Sequence, residues 1–118
     1  MTAKKNVSNA EMLKGTLDMM ILRTLLTGDA HGHTIAKVIE RTSEDVLEVE
    51  QGSLYPALHR LENEGMIESF DGPSSRDAEN GRTRRYYRIT ESGRGMLTRD
   101  RGEWRAHSRA VTMILEEV

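Results

Sequence analysis

Cysteine is absent from this chain of 118 residues. That excludes disulfides, cysteine-based zinc sites and thiol redox chemistry, and it fits a reducing compartment. No stretch approaches ~18 consecutive apolar residues, so no segment spans a membrane as a helix. The N-terminal segment, MTAKKNVSNAEML, lacks the apolar run of a signal peptide. We therefore expect a soluble, cytoplasmic protein. The phosphate-binding patterns G-x-x-x-x-G-K-[ST] and G-x-G-x-x-G are missing, and no Ser-His-Asp arrangement can be assembled, so an enzyme is disfavoured. His31 and His33 stand two apart, but with neither cysteine nor a carboxylate cluster beside them they make a weak metal site. No metal or cofactor is expected.

A chain this long suits one domain plus an added helix, and its core is modest enough that sharing it in a dimer would be natural. The formal net charge is only -2, but it conceals an asymmetry. From Glu40 to Asp71 nine acidic residues face two basic ones, a local charge of -7. From Arg76 to Arg109 ten arginines face five acids, a local charge of +5. A basic patch can hold phosphates within an acidic protein, although a charged solvated face is the commoner meaning of such a run.

Residues 1–12 read as a flexible polar arm. A first helix starts at Leu13, with Leu17, Met20, Ile21, Thr24 and Leu25 on one face and Gly28 at its end. Thr34 opens a second helix, with Ile35, Val38 and Ile39 turned inward. In the acidic linker that follows, Val46, Leu47 and Val49 fit either a short strand or simple packing. The stretch GSLYPALHRLENEG, from Gly52 to Gly65, reads as a third helix with Leu54, Leu58 and Leu61 at its core face. Its proline, Pro56, places the start near Gln51–Ser53, because a first turn tolerates the missing N–H. MIESF and RRYYRIT then form a two-stranded hairpin around a polar loop, residues 71–83. A long last helix follows, capped by Thr90 and weakened early by Gly93. Leu97, Trp104, Val111 and Val118 recur every seven residues along it, with Ile114 and Leu115 nearby. The stripe runs too far from the small core to be filled by it, so a second subunit's helix is expected to cover it. A helix folded back on its own domain is the other reading.

This order of elements is that of a winged helix-turn-helix, mainly α in an α+β fold, with a long C-terminal dimerisation helix. Residues 13–89 make the DNA-binding domain and 90–118 the dimerisation helix. With its leucines inward, the third helix turns Ser53, Tyr55, Pro56, His59, Arg60 and Asn63 outward, which suits a helix entering a DNA major groove N-terminus first. Arg82, Arg84, Arg85 and Arg88 lie at the end of the wing and down its returning strand. Guanidinium groups grip phosphates or enter narrow minor grooves. Tyr86 and Tyr87 point to opposite faces, one beneath the recognition helix, and alternation does not say which. The rival is a winged helix that binds protein, served by the acidic stretch Glu44–Glu50. The seven methionines, among them Met12, Met19, Met20, Met96 and Met113, suit an adaptable interface or ordinary core filling.

The segments LKGTLDMMILRTLL, HGHTIAKVIE, GSLYPALHRLENEGMIES and GRTRRYYRITESGR, in this order, resemble the PadR family of bacterial transcriptional regulators. The resemblance covers about Leu13 to Arg94, and the short C-terminal part is similar to the small subfamily with a single dimerisation helix. The family commonly has an aromatic where this chain has His33. The resemblance implies a homodimeric repressor of double-stranded DNA that responds to a small planar aromatic effector. It implies recognition through Ser53, Tyr55, Pro56, His59 and Arg60, a wing contact through Arg82, Arg84 and Arg85, and phosphate contacts from Lys14 and Lys37. It also matches Trp104 to a position that can lie beside a flat ligand at the dimer interface, although dimer-core packing is the plainer role for that indole.

Overall fold

The computed structural model describes residues 9–73 and 83–116, with side chains from 15–72 and 83–116. Four helices, α1 (Asn9–Leu26), α2 (Gly32–Thr42), α3 (Gln51–Asn63) and α4 (Glu91–Glu116), surround three short strands, β1 (Ala30–His31), β2 (Ile67–Pro73) and β3 (Thr83–Ile89). The sheet is antiparallel, in the order β1-β3-β2. None of the described helices is long and apolar enough to cross a membrane.

The core lies where α1, α2, α3 and the sheet converge. Leu17, Ile21, Leu22 and Leu25 of α1 meet Ile35 and Ile39 of α2 and Leu54, Ala57, Leu58 and Leu61 of α3, with Ile67, Tyr87 and Ile89 closing one side. Leu22 is fully buried although it stands off the expected face. A helix wrapped by neighbours on several sides buries more than one stripe, which is why α1 is apolar beyond its predicted face.

Several elements begin elsewhere than expected. Helix α1 starts at Asn9, so residues 9–12 of the expected arm are helical; residues 1–8 lie outside the described residues. The segment between Gly28 and Thr34, expected only to separate the first two helices, contains β1, whose residues pair Ala30 with Tyr87 and His31 with Tyr86. The cap of α2 is His31 and not Thr34: its ring nitrogen accepts the Thr34 N–H at 3.3 Å. Imidazole does here what a serine or aspartate side chain does at most helix starts.

Of the two readings left open for the linker, packing holds. Leu47 and Val49 are half-buried against the core, while Val46 is 81% exposed. Glu44 and Asp45 adopt left-handed backbone angles. The linker is tied back to α2 by the Val49 N–H donating to the Glu40 carboxylate at 2.9 Å and the Leu47 N–H donating to the Ser43 hydroxyl at 3.1 Å.

Helix α3 starts at Gln51, as expected. Pro56, however, is its sixth residue and belongs to the second turn. The N–H it lacks would have bonded the Gly52 carbonyl four residues back, so proline here removes an interior helix bond and not an orphan of the first turn. The exposed setting of Gly52 and Pro56 lets solvent reach that carbonyl. At the other end Gly65, at φ 78°, closes the helix. Its N–H donates to the Glu62 carbonyl and the Met66 N–H to the Leu61 carbonyl, the paired bonds of a Schellman motif. The chain then enters β2 in a defined direction.

Thr90 caps α4 as expected. Its hydroxyl accepts the Gly93 N–H at 3.1 Å and donates to the Gly65 carbonyl at 2.6 Å, joining the start of α4 to the end of α3. Gly93 is no weak point but a buried contact. A Cβ there would stand 2.1 Å from the Met66 carbonyl oxygen, so only glycine allows the helix so close to β2. Leu97 is 2% exposed and belongs to this core, which corrects its assignment to the dimer stripe. It sits within two turns of the Thr90 cap, where α4 still touches α1. Beyond it the helix leaves the domain, and the molecule extends to 60 × 28 × 23 Å.

Candidate nucleic-acid interface

The buried residues of α3 define its outer face by exclusion. Ser53, Tyr55, Pro56, His59 and Asn63 are exposed, as the leucine spacing requires. Arg60 departs from this set. Its guanidinium reaches across to the Asp18 carboxylate of α1, a residue only 8% exposed. One turn on from buried Ala57, Arg60 flanks the core and props α3 against α1. The pair is half-desolvated, with side-chain exposures of 28% for Arg60 and 12% for Asp18.

The wing lies beside α3. Tyr87, on the inner face of β3, is 6% exposed and is the tyrosine beneath the recognition helix. Its phenol pKa is raised, chiefly by burial; nearby Glu62 and Tyr55 add to this and Arg85 opposes it. Tyr86 faces the other way, stacked on Phe70 at 5.8 Å and edge-on to His31 at 5.5 Å. Arg88 lies on that same side, 4.3 Å from the centre of the Phe70 ring and within 3.6 Å of Asp29 and 3.5 Å of Glu68. It therefore staples β3 to its neighbours. Arg85 is exposed and Arg84 half-buried near the distal end of β3. Arg82 and the loop residues 74–82 lie outside the described residues, as does the side chain of Lys14. Lys37 is exposed on α2, 3.8 Å from Glu40, a surface pair that leaves its ammonium accessible.

Sequence reasoning missed the part played by His31. The signal was present: a His-Gly-His run between two helices, too short for an ordinary loop and followed at once by a helical pattern. What it lacked was the long-range pairing of β1 with β3.

On α4 the apolar side chains from Trp104 onward are exposed. Trp104 is 47% exposed, Val111 42%, Met113 60%, Ile114 69% and Leu115 71%. The Trp104 and His107 rings lie 6.4 Å apart. Among the described residues no three histidine or carboxylate side chains gather to hold a metal ion.

A helix-turn-helix with a β-hairpin wing and a projecting C-terminal helix defines a winged-helix protein. Residues 21–99 match the model of the Transcriptional regulator PadR-like family, and the chain belongs to that family. It is 34% identical over 91 residues to Transcriptional regulator Rv3488 of Mycobacterium tuberculosis, covering 77% of this chain and 78% of that protein. The PadR-like transcriptional regulator BC4206 of Bacillus cereus superposes with a TM-score of 0.72 at 30% identity, over 89% of this chain and 96% of that one. A transcriptional regulator from Clostridium thermocellum superposes with a TM-score of 0.76 at 29% identity, over 87% and 96% of the two chains. The protein is thus a regulator of transcription and not an enzyme.

Proposed function

We propose that this protein is a homodimeric repressor that binds a pseudo-palindromic DNA operator in the cytoplasm. The observation that carries this reading is the outer face of α3. It exposes Ser53, Tyr55, Pro56 and His59 together, beside a wing strand bearing Arg84 and Arg85. Hydroxyls and an imidazole at a helix N-terminus can read base edges, while the guanidiniums hold the backbone. Arg60 supports the helix from behind through Asp18. Arg82, Lys14 and Lys37 add phosphate contacts around this centre.

The two heads are joined through α4. Trp104, Val111, Ile114 and Leu115 form an apolar stripe that one protomer leaves in water, and a second copy of the helix would bury it. The recognition helices of such a dimer enter successive major grooves, about 34 Å apart. A small planar aromatic ligand stacking on Trp104 at this interface would alter the spacing of the heads and release the operator.

The test is a gel shift of the purified protein on DNA from upstream of its own gene, over a salt series. Tight binding that weakens steeply with salt is expected. Absence of binding at low salt by a dimeric protein, there and across a genomic fragment library, would refute the reading.

A further inference from the structure

Helix α3 is held against the head by two polar ties that straddle its leucine face. On one flank the Arg60 guanidinium donates to the Asp18 carboxylate of α1. On the other the Ser69 hydroxyl of β2 donates to the Glu62 carboxylate. At 100° per residue, Arg60 and Glu62 stand about 160° apart around the helix axis. Buried Leu54, Ala57, Leu58 and Leu61 lie to one side of them, and exposed Tyr55, Pro56, His59 and Asn63 to the other.

We propose that the Asp18–Arg60 pair fixes the rotation of α3 about its own axis and so sets how sharply the protein discriminates between DNA sequences. Asp18 and Arg60 are positioning residues, and neither touches DNA. The inference rests on the DNA-binding reading above and deepens it. It takes Arg60 out of the recognition set that the family resemblance implies.

Apolar packing is not directional, so leucines alone leave a helix room for a small roll. A charge-assisted hydrogen bond is directional, and the planar guanidinium is stricter in this than an ammonium. A roll of about 20° moves groups at a helix radius of about 5–6 Å by about 2 Å. Hydrogen bonds to base edges hold only between about 2.7 and 3.2 Å, so such a roll breaks them. Long side chains on phosphates follow the shift, and non-specific binding survives it. Fixing a register is also the best-attested use of an ion pair taken out of water, since its net stabilisation over apolar packing is small. Asp18 itself is 8% exposed and would repel a phosphate. A simple field effect therefore predicts that removing its charge strengthens DNA binding; the positioning role predicts the opposite for the preferred sequence.

The test uses the full chain and two duplexes: the sequence that the wild type selects from a random pool, and a scrambled duplex of the same composition. Fluorescence anisotropy over a salt series gives the affinity for each and the log–log slope. Far-UV circular dichroism at the assay temperature establishes that each variant is folded. Arg60→Gln and Asp18→Asn should each cut the ratio of selected to scrambled affinity roughly tenfold, about the effect of one mismatched base pair. Affinity for the scrambled duplex and its salt slope should stay at wild-type values. The double variant should match the more severe single one, since both remove the same tie. Asp18→Glu keeps both charges and moves the carboxylate by one methylene; it should lower the ratio too, and it serves where Asp18→Asn does not fold. A slope lowered by about one in Arg60→Gln would make that residue a phosphate contact. A loss confined to Arg60→Gln, with both Asp18 variants like the wild type, would make it a base contact. Unchanged ratios throughout would leave the pair without a part in discrimination. Each of these three results overturns the proposal while the DNA reading stands. A wild type that selects no sequence and binds no duplex at low salt brings down both.

Discussion

Gly93→Ala makes a sharp test of how α4 is anchored. In an ordinary helix the change should help, by as much as about 1 kcal/mol, since alanine loses less backbone entropy on folding. Here the added Cβ would lie 2.1 Å from the Met66 carbonyl oxygen and 2.8 Å from Ile89 Cγ1, where ordinary contact begins at 3.4 Å. The carbonyl is backbone and cannot rotate aside. It also accepts the Thr90 N–H at 3.1 Å, so moving it disturbs the residue that caps α4. Overpacking of this kind costs about 1–3 kcal/mol, and contact with an immobile atom places it at the upper end. We expect a net loss of roughly 2 kcal/mol after the helix preference is counted.

Gly95, two residues on, is the internal control. A Cβ there meets nothing within 4 Å, and the position is turned about 200° from the Leu97 stripe. Gly95→Ala should therefore stabilise the protein by about 0.5–1 kcal/mol. Urea unfolding followed by far-UV circular dichroism, at one protein concentration because dimerisation shifts apparent stability, measures both. The two midpoints should lie on opposite sides of the wild type. A Gly93→Ala midpoint equal to or above that of Gly95→Ala would refute the close approach of α4 to β2.

Three further outcomes are expected. The folded-state pKa of His31 is depressed, so the fold favours its neutral form; its stabilising contribution is present above the unfolded value of about 6.5 and lost as pH falls through the folded value. His31→Asn keeps a side chain able to cap α2 and should lose less in thermal midpoint than the wild type on acidification across that window; identical acid dependence would contradict the assignment. Asp18→Asn removes the charge opposite Arg60, and chemical denaturation should show a loss of roughly 2–3 kcal/mol, less than for a fully buried pair because Arg60 is partly solvated. Val111→Asp with Leu115→Asp should give monomers in sedimentation velocity whose far-UV circular dichroism at low temperature shows the head still folded, and a persistent dimer would place the interface elsewhere.

Much of the architecture was legible because its signals are local. Leucines at four- and three-residue steps from Leu54 set the inner face of α3, and everything else on that helix had to face out or flank it. The alternating RRYYRIT segment read as a strand for the same reason, and Thr90 read as a cap from its place before a helical pattern. The family resemblance rested on these same segments. What failed were readings that needed a partner distant in the chain. Arg60 looked unpartnered on the wheel, since nothing local announces Asp18, forty-two residues earlier. Leu97 matched a heptad with Trp104 and Val111, but a repeat along one helix does not say where the domain ends and solvent begins. Gly93 looked like a defect because helix propensity, a local quantity, penalises glycine.

The sequence alone determined the order of the four helices and the hairpin, the faces of α2 and α3, and the arginine-rich character of the wing. These follow from hydrophobic period, turn chemistry and charge, which act over a few residues. Tertiary structure alone decided that Tyr87 and not Tyr86 is buried and that His31 is both strand and cap. Each of these depends on the two-residue pairing of β1 with β3. Such a pairing is too short to leave a period in the sequence, and it forms only because the surrounding helices bring the two segments together.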